Sequence, residues 1–112
     1  RLLPRAIKMI GEMQDGYRPP AVPVAQLADG ALADKMEEFM QQGIDRGDFF
    51  PHDKTVAMAI ASVMLRGDGD GESADESELY ARERAAFITL SKTPETLARI
   101  RTMLDDGAAV RN

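Results

Sequence analysis

Thr93-Pro94-Glu95-Thr96-Leu97-Ala98-Arg99-Ile100-Arg101-Thr102-Met103-Leu104, followed by Gly107, is the stretch that decides how the chain is read. Thr93 is a good N-cap, Pro94 suits the first helical position where its missing N–H has no intrahelical partner, and Gly107 suits a left-handed stop. Leu97, Ile100 and Leu104 recur at helical spacing between them. A helix is therefore predicted from Pro94 up to Gly107, and the same punctuation can be sought upstream.

It recurs four more times. Leu3, Ile7 and Ile10, with Leu2, Ala6, Met9 and Met13, give a first helix a broad apolar face that ends at Gly16. Tyr17 to Leu27 holds Pro19, Pro20 and Pro23, which predicts an extended connector. A second helix is predicted from Asp29 to Arg46, with Leu32, Met36, Phe39, Met40 and Gly43 on one face and Gly47 closing it. Phe49-Phe50-Pro51 then reads as an apolar turn whose rings plug the core. Val56 to Leu65 is apolar almost all round, the mark of a central helix, and Gly67 stops it. Residues 67 to 78 carry six acids and no base, predicting a solvated, mobile loop. Ser73-Ala74-Asp75-Glu76 has the form of a capping box that opens a fourth helix, with Leu79, Ala86, Phe87 and Leu90 on its buried side. No strand alternation stands out. The fold predicted is an all-α, compact bundle of about five helices, one domain over residues 1–112.

Composition narrows the functions open to such a bundle. With 14 basic and 19 acidic residues the net charge is −5. The cations are scattered, which argues against nucleic acid. Cysteine is absent, so disulfides and thiolate sites are excluded. No apolar run has the length of a membrane span and no signal peptide is visible, so the expected setting is cytoplasmic, without a membrane partner. Aromatics make up 5% and Trp is absent, which leaves the 7 methionines to fill much of the core. Arg1 opens in mid-pattern without an initiator Met, so a segment of a longer polypeptide is expected.

Catalytic patterns are missing. Asp68, Asp70 and Glu72 have the one-three-five spacing of a calcium loop, but Ser73 and Leu79 stand where that loop needs Gly and Glu. His52 is the single histidine and cannot build a zinc site alone; a capping or surface role is expected. Glu83 lies four residues from both Leu79 and Phe87, so it is expected to face the apolar side and to need a cationic partner (Arg99, Arg101, Arg82 or Arg111). An ion pair fixing the fourth helix on the fifth is the expected outcome, because one Glu without an oxyanion loop is no hydratase. Gly67-Asp68-Gly69-Asp70-Gly71 follows a helix and would repel phosphate. The residues assign no catalytic, cofactor-binding or metal-binding side chain.

Several fragments recur in a recognisable order. They are Gly16-Tyr17-Arg18-Pro19-Pro20 after the amphipathic helix, Asp53-Lys54 leading to Leu65-Arg66-Gly67-Asp68, and Glu83-Arg84 with Ala86-Phe87. Ala98-Arg99-Ile100 with Met103-Leu104 and a closing Arg111-Asn112 complete the series. Together they resemble the C-terminal helical region of bacterial bifunctional 3-hydroxyacyl-CoA dehydrogenase/enoyl-CoA hydratase fusion proteins of fatty-acid β-oxidation. The resemblance implies that the NAD motif and the hydratase glutamates lie upstream, so NAD belongs to the parent enzyme and this segment holds no cofactor. It implies a non-catalytic accessory domain that packs on the hydratase and dehydrogenase domains or on a second subunit. Tyr17, Arg18, Pro19, Pro20, Glu83, Arg84, Phe87, Arg111 and Asn112 are the expected structural or docking residues; contact with acyl-CoA has no support in the residues. Rival readings are an autonomous helical module that binds proteins through a Met-lined groove, and an enzyme or acyl-CoA-contacting lid in its own right.

Overall fold

The computed structural model describes residues 1–67 and 70–112. Among these residues, five helices and two short strands follow one another: α1 (Leu2–Gln14), β1 (Val24–Gln26), α2 (Gly30–Asp45), α3 (Pro51–Met64), β2 (Ser73–Asp75), α4 (Glu76–Ser91) and α5 (Pro94–Asp106). Five helices were expected and five are present, but α3 begins at Pro51, inside the stretch expected to be a turn and ahead of the expected Val56, and α4 begins at Glu76 rather than directly after Ser73. The radius of gyration is 21.3 Å. A compact chain of this length would have a radius of roughly 13 Å. The expected compact bundle is therefore corrected to an extended helical assembly.

Caps explain the helix ends. Asp29 accepts a hydrogen bond from the Ala31 N–H at 3.0 Å and starts α2. The end of α2 turns through Gly47, whose φ of 83° is the left-handed region that glycine tolerates. Asp75, not Ser73, caps α4: its carboxylate accepts from Glu78 N–H at 2.9 Å while Glu78 accepts from Asp75 N–H at 3.0 Å. The predicted capping box is thus displaced by two residues. Ser73 belongs instead to β2, where a loop was expected.

β2 pairs antiparallel with β1, with Ala25 opposite Ala74. The chain continues past β1 into the end of α3, where Ala28 N–H donates to Met64 O at 2.8 Å and Arg66 N–H to Ala28 O at 2.7 Å. Ala74 at 1% exposure is the best-buried side chain among the described residues, and Leu27, next to β1, is 7% exposed. Asp68 and Gly69 of the calcium-like and glycine-rich spacings lie outside the described residues.

α3 occupies the middle, between α2 and α4, as its apolar sequence predicts. Phe49 tucks its ring against Gly43 and lies 5.8 Å from Phe39, so one of the two rings makes the expected plug, while the Phe50 ring lies under Arg111 instead. Met40 is the one buried methionine among the described residues; Met9, Met13, Met64 and Met103 are exposed, which corrects the expected Met-filled core. No large side chain is fully buried among the described residues.

Candidate functional site

The densest polar constellation joins the start of α3, one side of α5 and the closing residues of the chain. Pro51 and Asp53 form the first turn of α3, where Asp53 Oδ2 accepts from Phe50 N–H at 2.8 Å. Thr93 caps α5 by accepting from Thr96 N–H at 3.3 Å. Thr96, Arg99 and Thr102 then lie one turn apart on its half-buried side. His52 Nε2 meets Thr96 Oγ1 at 2.7 Å, and Arg99 Nη2 donates to Asp53 Oδ1 at 2.8 Å.

Asn112 closes the arrangement. Its side-chain oxygen accepts from Arg99 Nε at 2.7 Å, and its backbone oxygen accepts from Arg99 Nη2 and from His52 N–H, both at 3.1 Å. Its Nδ2 donates to Glu95 O at 3.1 Å. Arg111 lies over the Phe50 ring, 4.8 Å from its centroid, and donates to Asp48 O at 3.3 Å. The Asp53 carboxyl is held below its ordinary value, first by the Phe50 N–H, against a smaller opposing effect of burial, and then by Arg99 and Arg111.

Arg111 and Asn112 are thus brought together with side chains that the sequence alone does not group with them. His52 is 6% exposed and hydrogen-bonded, which corrects its expected surface or capping role. Glu83 lies exposed on α4 and makes no ion pair among the described residues, so the expected bond between α4 and α5 is not formed. Arg82 holds the inward position instead, donating to Leu65 O at 2.8 Å and to Asp70 at 3.0 Å. Phe87, expected on the buried side, is 60% exposed, and Arg84 is exposed as well. Tyr17, Arg18, Pro19 and Pro20 all face solvent in the connector.

Two hollows flank this region. A groove of about 810 Å³ runs between α3 and α4 over Met58, Val63, Ala86 and Leu90, with the Arg82–Asp70 pair at one end. A smaller recess of about 320 Å³ lies beside His52, Thr93 and Asn112. Among the described residues no three His, Asp or Glu side chains are placed to hold a metal ion. No helix is long and apolar enough to cross a membrane among the described residues. The polar groups gathered here are hydrogen-bonded to one another, beside exposed apolar side chains of α5. In comparisons with known proteins, the chain matches no family model, no curated protein and no solved structure.

Proposed function

We propose that this chain is a non-catalytic helical docking domain that works by being covered. The observation that supports the reading is the outward apolar surface. α1 turns Leu2, Leu3, Ile7, Ile10 and Met13 to solvent, α4 Tyr80 and Phe87, and α5 Leu97, Ile100, Met103 and Leu104. Contiguous exposed apolar faces of this kind mark interaction surfaces. The resemblance of the ordered fragments supplies the partner: the dehydrogenase and hydratase domains of a 3-hydroxyacyl-CoA dehydrogenase/enoyl-CoA hydratase protein of fatty-acid β-oxidation, or a second subunit of it. In this reading NAD and acyl-CoA are handled by the parent's other domains, and this segment contributes stability and assembly.

The test is deletion of residues 1–112 from the protein that carries them, with melting temperature, mass in solution and both turnovers measured. A lower melting temperature or a changed assembly state, with turnover retained by the folded fraction, supports docking. Unchanged stability and assembly sink it. The coding sequence ahead of Arg1 tests the family: a GxGxxG strand–turn–helix unit and a crotonase-like domain are expected there, and their absence removes β-oxidation from the proposal.

A further inference from the structure

An amphipathic helix placed against a protein body ordinarily turns its apolar stripe inward. α5 does the reverse. Thr96, Arg99 and Thr102 face the body, while Leu97, Ile100, Met103 and Leu104 face solvent, Leu104 at 79% exposure. Something must hold the helix in that orientation, and the hydrogen bonds show what does. Arg99 is gripped by Asp53 from α3 and by both oxygens of Asn112, while Asn112 also takes the His52 N–H and gives its amide to Glu95 O. Arg111 ties the same two residues down over Phe50 and Asp48. The grip therefore reaches α3 and α5 at once.

We propose that Arg111 and Asn112 form a latch that sets the orientation of α5 and so governs presentation of its apolar stripe. The latch deepens the docking reading, on which its purpose rests. With the latch closed, the stripe is displayed to the catalytic domains that the docking reading places on this face. With the latch open, α5 keeps the Asp53–Arg99 and His52–Thr96 bonds to α3 but loses the clamp that Asn112 puts on Arg99 and Glu95, and the stripe loses its fixed presentation. Arg99 is the receiving residue and Asp53 the anchor on α3.

The absence of cysteine makes orientation measurable, since one introduced thiol is unique in this sequence. Thr102→Cys places it on the inward side of α5, Leu104→Cys on the outward side, and Ala61→Cys in the body, where Ala61 is buried. Labelling by a small maleimide is then compared with and without removal of Arg111 and Asn112, which takes away the backbone oxygen as well as the side chains of the latch. With the latch intact, the thiol at position 104 is expected to react at least about tenfold faster than that at 102, because closed structure protects inward groups. Removal of the two residues is expected to collapse that ratio toward one while the thiol at 61 stays protected. An unchanged ratio overturns the latch. Labelling at 61 as fast as at 102 also overturns it, because Asn112 would then hold the whole body rather than α5. The ratio is read within the chain, so its failure is separate from failure of docking, which the deletion experiment reads.

Discussion

Asp53 serves two neighbours with one carboxylate: Oδ2 takes the Phe50 N–H and Oδ1 the Arg99 guanidinium. These contacts favour the charged form, so its folded pKa lies below the ordinary 3.8. The unfolded chain then binds the proton more readily, and stability rises with pH across the interval between the two values. The contribution is complete above the ordinary value and is lost as pH falls through the folded one. Asp53→Asn is therefore expected to lower the melting temperature at pH 7 and to lower it progressively less below about pH 4, in thermal melts across that range. An undiminished deficit in acid would remove the charge from the explanation. Gly43 has a steric reason to be glycine. A Cβ there would run into the Phe49 ring, which is half-buried and already packed near Phe39. Gly43→Ala is expected to cost about 1–3 kcal/mol by denaturant titration, the usual range for overpacking. Phe49→Leu should recover part of that loss if the ring is the obstacle.

Caps decide where the helices begin, and they separate two neighbouring candidates before α4. Asp75→Ala removes the carboxylate half of the reciprocal pair with Glu78 and is expected to cost about 1 kcal/mol. Ser73→Ala leaves that pair untouched and should fall within about 0.5 kcal/mol of the parent. Equal losses in denaturant melts would return the cap to Ser73. The helix ends were legible because a cap is written within four residues, as Thr93-Pro94 and Asp29 illustrate. β1 and β2 were not, because each has three residues and their stability comes from partners far away in sequence. Periodicity gives a stripe but not the side on which a neighbour lies. On α4 the half-buried positions are Leu79, Arg82, Ala86 and Leu90, a face turned away from Phe87 and Glu83. On α5 the sequence shows the stripe of Leu97, Ile100 and Leu104 but not the side it faces, which is solvent. Asn112 bonds Arg99 on the other side, and no local pattern announces a contact with the closing residues.

The chain has a mass of 12.3 kDa and exposes 8860 Å². A monomer of that mass closed on itself would expose roughly 6,100 Å² by the scaling of surface with mass. The difference, about 2,800 Å², is of the order that permanent interfaces bury. α1 is the clearest share of it. All of its residues are exposed, its apolar face is continuous, and three prolines hold it off in an extended connector. α1 has 13 residues. A helix so short has little stability in water by itself, because nucleation is costly and few bonds follow. The docking reading supplies the covering surface that would hold it helical. Hydrogen exchange of the 112-residue chain is expected to show residues 2–14 exchanging at nearly unfolded rates while the amides of α3, packed between α2 and α4, remain protected. In the proposed parent enzyme the same amides of α1 should gain protection, since docking would remove the apolar face from water. Strong protection of α1 in the chain alone would mean that the helix is covered by the chain itself or by a second copy. Mass measurements would then distinguish the two: a monomer requires α1 to fold back on its own body, and a dimer requires exchange between copies. Weak protection in both settings would leave the apolar face of α1 uncovered, and the docking role would then fall to α4 and α5.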